Sequence, residues 1–175
     1  MSTGSGDVTV NGVKGSLDIE TGSGDVVAEA IAGGLKVETG SGDVRLQQQA
    51  GDRVKIETGS GNITSTGVEA AQLDLETGSG DIKLDQASAQ GVSLDTGSGD
   101  VTAAFGRGLT TLKVETGSGD VRLTLPADYA GALDVETGNQ DDIVVDFPIQ
   151  LMRKDDSMLR ARVGEGTGSI SIDTG

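Results

Sequence analysis

The chain has no cysteine, histidine or tryptophan, and its 175 residues include three aromatic side chains, Phe105, Tyr129 and Phe147. Without cysteine there is no disulfide framework, and the redox compartment cannot be inferred. Without cysteine and histidine, the commonest enzymatic nucleophile–base pairs are excluded. Because globular cores usually depend on aromatic residues, this core must be built from small aliphatic side chains in a regular array.

Positive charge is also scarce: 13 basic residues stand against 28 acidic ones, for a net charge of −15. Nucleic acids require a basic patch and anionic membrane surfaces attract basic segments, so we predict neither as a partner. No apolar run approaches the ~20 residues of a membrane-spanning helix, and no signal peptide is recognisable. Because the chain begins on one repeat and stops within another, we interpret it as part of a longer protein.

Glycine, by contrast, is abundant, and it belongs to a repeated motif. The motif is Glu-Thr-Gly-Ser-Gly-Asp-Val, first complete at Glu20–Val26. Its threonine recurs every 18 to 21 residues, at Thr3, Thr21, Thr39, Thr58, Thr77, Thr96 and Thr116, with a degraded copy at Thr137. A period near 20 residues is typical of stacked repeats, in which one unit is too small to bury its own apolar face.

One unit indicates how the repeats fold. Residues 17–21 alternate apolar and polar side chains, which is typical of a half-buried strand. Gly22-Ser23-Gly24 interrupts the alternation, and the alternation resumes at Asp25 with the opposite parity. Since a shift of one residue turns every side chain to the other face, the motif must form a bend between two strands of one coil.

Aligned units give three apolar columns, which predict ladders of like side chains at the ~4.8 Å spacing of neighbouring strands. One column follows the glycine corner: Val8, Val26, Val44, Ile63, Ile82, Val101, Val121 and Ile143. Two precede it: Ile19, Val37, Ile56, Leu75, Leu94, Val114, Val135 and Ile172, and Leu17, Leu35, Val54, Leu73, Val92, Leu112, Leu133 and Ile170. We therefore predict an all-β fold, a flattened parallel β-solenoid (β-helix) of about eight coils with 18–21 residues per coil.

The end of the chain departs from this pattern. We predict one domain over residues 1–175, with regular coils at 3–142 and an irregular C-terminal cap plus a last strand at 143–175. Within the cap, we predict that Ile143–Val163 forms a hairpin that folds over the end of the solenoid. The start has no such segment, so its open strand edges predict weak end-to-end self-association. The corner opposite the glycines varies in sequence, as surface loops do.

Two acidic rows are the strongest candidates for a binding site. One contains Glu20, Glu38, Glu57, Glu76, Asp95, Glu115 and Glu136, and the other Asp7, Asp25, Asp43, Asp81, Asp100 and Asp120, with Asn62 in place of one aspartate. The aspartates could accept hydrogen bonds from the backbone of their own corner, and Asn62 favours this role because asparagine keeps the acceptor without the charge. Alternatively, the rows could bind Ca²⁺, which prefers carboxylate and carbonyl oxygens. The spacing differs from that of known Ca²⁺-binding β-roll repeats.

Other rows predict structural roles. The threonines continue the inward series of Leu17 and Ile19, so we expect their hydroxyls to bond within the corner, although exposed threonine rows could bind ice. Outward charges of opposite sign alternate between some neighbouring coils, which predicts stabilising pairs of Asp18 with Lys36, Lys55 with Asp74, and Lys113 with Asp134. No serine, threonine or lysine stands apart with its own base. We therefore assign no catalytic, cofactor-binding or metal-binding residue and predict that the chain is not an enzyme.

The repeated Glu-Thr-Gly-Ser-Gly-Asp-Val between alternating strands resembles the bacterial family of adhesin-type β-strand repeats, DUF4097. The resemblance runs from Thr3 to Gly175 and includes Asp146-Phe147-Pro148 and the turn at 164–166. It implies a β-solenoid in bacterial cell-envelope or extracellular proteins without an established activity. On this basis we expect a structural or adhesion-like interaction module with an unknown protein or glycan partner, the alternative being a Ca²⁺-binding repeat that needs the ion to fold or assemble.

Overall fold

The computed structural model describes residues 1–138, 150–154 and 157–175. All regular secondary structure in these ranges is β-strand. The strands are β1 (Ser2–Thr3), β2 (Val8–Asn11), β3 (Leu17–Thr21), β4 (Val26–Glu29), β5 (Leu35–Thr39), β6 (Val44–Thr58), β7 (Ile63–Thr77), β8 (Ile82–Thr96), β9 (Val101–Arg107), β10 (Thr111–Thr116), β11 (Val121–Thr124), β12 (Gly131–Thr137), β13 (Gln150–Lys154), β14 (Met158–Val163) and β15 (Gly168–Thr174).

The strands form two long ladders joined by the glycine corners. The ladder before the corner, ladder A, has the order β1-β3-β5-β6-β7-β8-β10-β15-β12-β14-β13. The ladder after the corner, ladder B, runs β2-β4-β6-β7-β8-β9-β11. Strands β6, β7 and β8 are each 15 residues long and belong to both ladders, because each continues from one glycine corner round to the next. The predicted parallel β-solenoid is confirmed.

The apolar columns occupy the interior as the alternation predicts. Val26 is in register with Val44 in ladder B, and Val37 with Ile56 in ladder A. These four side chains are at most 1% exposed and belong to one continuous core cluster. Stacked β-branched residues pack well at the strand spacing, so the repeated rungs bury one another largely without aromatic side chains, and Phe105 and Tyr129 are the aromatic members of the described core cluster.

The corner opposite the glycines is more ordered than predicted. It carries a short third ladder, in which Ala32 bridges to Lys14 and to Ala50, and Ala50 pairs with Glu69. The chain turns at this corner with single residues of positive φ, such as Gln48 (52°) and Gly67 (67°). The variable sequence there therefore still supports coil-to-coil hydrogen bonding, because main-chain pairing depends little on side-chain identity.

The prediction of about eight coils was slightly too high. About six regular turns stack between Thr3 and Thr116, and then the order changes. The last strand, β15, lies between β10 and β12 and is parallel to both, with Leu112 and Leu133 on either side of Ile170. β12 therefore does not stack on β10, because the last strand of the chain lies between them.

Of the predicted hairpin Ile143–Val163, the structure describes the strands β13 and β14. β14 pairs antiparallel with β12, and β13 pairs antiparallel with β14. The hairpin thus extends ladder A sideways as two further strands. The predicted column member Ile143, the Asp146-Phe147-Pro148 segment and the altered corner after Gly138 lie outside the described residues.

Candidate functional site: the glycine corner and its acidic rows

The glycine corners are bonded from coil to coil throughout. In the corners from Gly22 to Gly117, the first glycine donates its N–H to the threonine carbonyl of the preceding coil, as Gly59 does to Thr39 at 3.0 Å. In the corners from Gly6 to Gly99, the second glycine donates to the serine carbonyl of the following coil, as Gly42 does to Ser60 at 2.9 Å. This second glycine has a φ of about 142° at Gly61, and a Cβ there would lie against the carbonyl of Gly42. The stacking leaves no room for a side chain.

The aspartate row forms a relay along the axis of the solenoid. Oδ1 of Asp25 accepts the backbone N–H of Asp43 at 2.9 Å, and Oδ1 of Asp81 accepts that of Asp100 at 2.9 Å. Asn62 keeps the relay intact: its N–H donates to Asp43 and its Oδ1 accepts from Asp81, both at 2.9 Å. The predicted acceptor role is correct, but the donor is the corner of the next coil rather than the residue's own corner. The backbone N–H of each residue in the row, such as that of Asp43, therefore bonds to the side chain of the equivalent residue in the preceding coil.

We expect Asp81→Asn to leave stability nearly unchanged, because an amide oxygen can accept the N–H of Asp100 as Asn62 does one coil earlier. Asp81→Ala removes the acceptor and should cost about 1 kcal/mol. Urea unfolding of the two variants tests this difference. Equal loss in both would mean that the charge, rather than the acceptor, matters at this position.

The threonine row is buried, as predicted from its parity. Thr58, Thr77 and Thr96 are at most 4% exposed. Their hydroxyls donate to glycine carbonyls of the preceding coil, as Thr77 does to Gly61 at 2.9 Å and Thr96 to Gly80 at 2.9 Å. These threonines hold the corner together from inside and present no hydroxyl array for ice.

The glutamate row lies on the outward face of ladder A, and its ion pairs differ from the predicted ones. Lys36 binds Glu38 at 2.9 Å, and Lys55 binds Glu57 at 2.6 Å, so the pairs form within one strand. Lys113 likewise binds Glu115 at 2.6 Å, since its ladder neighbour toward the C-terminal end is Ser171 and not Asp134. A partner two residues along the strand lies on the same outward face, where lysine can reach it.

These ion pairs shift the pKa values of the paired side chains in the directions that favour the charged forms. The hydrogen bond with Lys36 lowers the pKa of the Glu38 carboxyl, and the same bond raises the pKa of the Lys36 ammonium. The hydrogen bonds that Lys55 and Lys113 donate to the carboxylates of Glu57 and Glu115 raise the pKa values of these two lysines. The face therefore carries lysine and glutamate side chains in pairs, and within the described residues Glu20 and Glu76, which no lysine precedes by two positions, form no ion pair.

A shallow groove of about 640 Å³ runs beside this row along the glycine corner. Its lining includes the glutamates Glu20, Glu38, Glu57 and Glu76 and the exposed glycines Gly22, Gly40, Gly59 and Gly78. Because its lining repeats with every coil, the groove follows the axis for about four rungs of ~4.8 Å. Its geometry suits an extended partner running along the solenoid.

No group of three or more metal-ligand side chains that could hold an ion occurs within residues 1–138, 150–154 and 157–175. In the aspartate relay, one carboxylate oxygen is already committed to a backbone N–H, and Arg45 additionally binds Asp43 at 3.1 Å. Both features reduce the oxygens that this row could offer to a cation. Among the described residues, the carboxylates of Glu20 and Glu76 form no such hydrogen bond or ion pair.

Sequence reasoning missed two buried polar residues. Gln49 is 1% exposed and donates its amide to the carbonyl of Gly33 at 2.6 Å, and Ser65 is fully buried. Gln49 Oε1 and Ser65 Oγ have no hydrogen-bond partner. Gln49 lies between Ile31 and Val68 in the short third ladder. Its burial could have been predicted from the sequence only by recognising this ladder at the corner opposite the glycines.

Comparisons with known proteins agree with the fold. Searches of curated proteins and of solved structures gave no significant match. In the described part of the chain there is no helix long and apolar enough to cross a membrane. The family model described as Toastrack DUF4097 matches residues 1–47 and 28–174. These matches cover nearly the whole chain, which therefore belongs to the Toastrack DUF4097 family.

Proposed function

We propose that this domain is a non-enzymatic structural or adhesion-like interaction module of the bacterial cell envelope. The observation that supports an interaction role is the groove along the glycine corner, where one carboxylate per coil lines a rigid, coil-bonded wall. The envelope or extracellular location is what the family resemblance implies. The partner is an unknown protein or glycan of the envelope that offers cationic groups or hydrogen-bond donors at a matching repeat.

A repeating site favours binding over catalysis. Every rung of the groove presents the same pair of features, a carboxylate and a flat glycine backbone, whereas glycoside hydrolysis needs one distinctive pair of carboxyl groups across a cleft. A repeated contact also adds up along an extended partner, since each further rung raises the effective concentration of the next. The groove therefore suits many weak, equivalent contacts.

Binding to isolated envelope material tests this proposal. We expect the domain to cosediment with bacterial envelope fractions, and we expect Glu20→Gln/Glu76→Gln to bind more weakly, because both carboxylates line the groove. Asp85→Asn/Asp128→Asn removes the same charge at exposed sites outside the groove and serves as the control. Protease treatment of the fractions distinguishes a protein partner from a glycan.

Failure to bind either the intact or the protease-treated fractions would overturn the interaction role. An equal loss in the control variant would show that net charge, and not the groove, determines binding. Release of reducing sugars from purified peptidoglycan, abolished by one localised carboxylate substitution, would contradict the non-enzymatic assignment.

The second candidate function is a Ca²⁺-dependent repeat, for which carboxylates of the glutamate row such as Glu20 and Glu76 would have to supply the ligands. We expect thermal melts followed by far-UV circular dichroism to be nearly the same in excess chelator and in millimolar Ca²⁺, because the corner backbone groups already bond to each other. A chain that is unstructured in chelator and folds with Ca²⁺ would instead establish the ion as part of the fold.

A further inference from the structure

We propose that the space between β10 and β12 is a strand-binding site, which β15 fills within one chain and which β15 of a second copy can fill in its place. β12 is the next strand of ladder A after β10 along the chain, yet β15 lies between them and pairs with both. Elsewhere in the solenoid, successive strands such as β8 and β10 lie directly beside each other. The site is a different part of the molecule from the groove, so the proposal does not depend on the envelope function.

Main-chain hydrogen bonds hold β15 on both of its sides. On the β10 side, the N–H of Ser169 donates to the carbonyl of Thr110 at 2.8 Å. On the β12 side, the N–H of Gly168 donates to the carbonyl of Ala130 at 3.1 Å. An extended peptide that adds to a sheet gains affinity from such main-chain bonds, and gains specificity from the pockets that receive its alternate side chains.

The charged side chains beside β15 have their ion-pair partners outside it. Lys113 and Asp134 lie in register with Ser171, one on each side. Lys113 binds Glu115 within β10 at 2.6 Å, and Arg160 of β14 binds Asp134 at 3.0 Å. Recognition of β15 therefore rests on its main chain and its inward side chains, so the site is compatible with any segment that has the same inward pattern.

The inward positions and the two ends of the site determine which segments fit. Ile170, the central inward side chain of β15, is 1% exposed, so the site requires an apolar residue there. A Cβ on Gly168 would lie 2.8 Å from the ring of Tyr129. A Cβ on Gly175 would lie 2.6 Å from the carbonyl oxygen of Gly117. The ligand is therefore an extended segment of the pattern Gly-x-apolar-x-apolar-x-Thr-Gly, which is the pattern of β15 itself.

The connection that leads into β15 permits exchange between copies. β14 and β15 lie on opposite sides of β12, and residues 164–167 join them. β15 is thus reached from the hairpin rather than from a coil, whereas β6, β7 and β8 each continue from one glycine corner to the next. Exchange of an identical element between copies reproduces the contacts of the single chain and is a low-cost route to a dimer.

Concentration determines which copy fills the site. Within one chain, the short connection keeps β15 at a high effective concentration at its own site. The net charge of −15 also makes copies repel one another. We therefore expect the site to be filled by the chain's own β15 in dilute solution, and strands to exchange when concentrated chains unfold and refold together.

Engineered cysteines report exchange directly, because the chain has no cysteine of its own. Lys113→Cys in one copy and Ser171→Cys in another come into register only when β15 of the second copy fills the site of the first. Neighbouring strands at ~4.8 Å lie within the Cα separation that a disulfide can span. The control replaces Ser171→Cys by Ser93→Cys, which is in register with Lys113 on its other side, in a strand enclosed by the coils.

The two single-cysteine chains carry different affinity tags and are refolded together at concentrations on the order of 0.1–1 mM, where weak association becomes measurable. We expect the Lys113→Cys and Ser171→Cys pair to give several-fold more linked heterodimer than the control pair. The double variant Lys113→Cys/Ser171→Cys should close its disulfide within one chain in dilute solution. Equal yields for the two pairs, or a double variant that does not close, would overturn the proposal.

A peptide with the sequence of residues 168–175 provides a second measurement. In the full chain, Ser171→Pro weakens the chain's own β15, so we expect the peptide to bind this variant saturably and to restore hydrogen-exchange protection in β10 and β12. The same peptide carrying Ser171→Pro should do neither, because proline lacks the N–H that a ladder requires. The native chain should bind the peptide more weakly, since its own β15 occupies the site.

Equal binding of the two peptides would contradict the strand-binding site. So would an absence of restored protection in a Ser171→Pro chain that keeps its β-sheet circular dichroism. If that variant does not fold, the cysteine mixture decides alone, because it needs no destabilised chain.

Discussion

Replacing Gly61 by alanine is expected to remove most of the domain's stability, with a loss of more than about 4 kcal/mol. Gly61 has a φ of 142°, which L side chains rarely adopt, and a Cβ there would lie 2.6 Å from the carbonyl carbon of Gly42. The obstacle is backbone that is itself bonded to the next coil, so it cannot move aside. Since domains are typically stable by about 5–15 kcal/mol, urea unfolding followed by circular dichroism should show a large shift or no cooperative transition.

The matched control is Gly67→Ala. Gly67 also has a positive φ, 67°, but the nearest atom to an added Cβ is the backbone N of Gln48 at 3.9 Å. This variant should cost only the left-handed backbone penalty of about 1–2 kcal/mol. Similar losses in both variants would mean that positive φ alone, and not the stacking of glycine on glycine, makes the corner motif necessary.

Ser171→Pro is expected to produce the second large effect, a loss of about 3 kcal/mol or more, because proline removes a ladder hydrogen bond and clashes with its neighbours. Ser171 lies in β15, with Lys113 on one side and Asp134 on the other. Its N–H therefore points at a neighbouring strand whichever way it is directed. The side chain is exposed, so the loss of stability would come from the backbone change and not from lost side-chain packing.

Ser171→Ala is the control and should stay within about 0.5 kcal/mol of the native chain. Hydrogen exchange adds a second readout: the proline variant should lose protection in both β10 and β12, because β15 pairs with both. A proline tolerated without loss would place β15 at an edge, where a missing N–H faces solvent. That result would contradict the strand order β10-β15-β12.

The proposed interaction role depends on the same feature that makes the domain rigid, the coil-to-coil bonding of the glycine corner. The backbone donors and acceptors of the corner form hydrogen bonds with the neighbouring coils, and its threonine hydroxyls donate to glycine carbonyls. What remains accessible is the outward carboxylate row and the flat glycine surface of the groove. A site of this kind is pre-organised, which reduces the ordering cost of binding an extended partner.

The repeat itself was readable from the sequence because it depends on local rules. Alternation places Val37 and Ile56 inside, a flip of parity after the glycines requires a bend, and both predictions are confirmed in the core. The burial of Thr77 followed from the same parity. These features involve a strand and its nearest equivalents, so pattern and period suffice.

The tertiary structure alone decided which equivalent strand lies next to which. Ile170 can stack on Leu112 or on Leu133 equally well, so identical columns do not specify that β15 enters between β10 and β12. The N–H group that donates to each aspartate and the partner of each lysine were ambiguous for a related reason. Candidate partners in the same and the next coil have the same chemistry, and only distance in the folded chain separates Glu38 from Asp18 as the partner of Lys36. A repeating sequence determines the unit, and the assembled solenoid determines the neighbours.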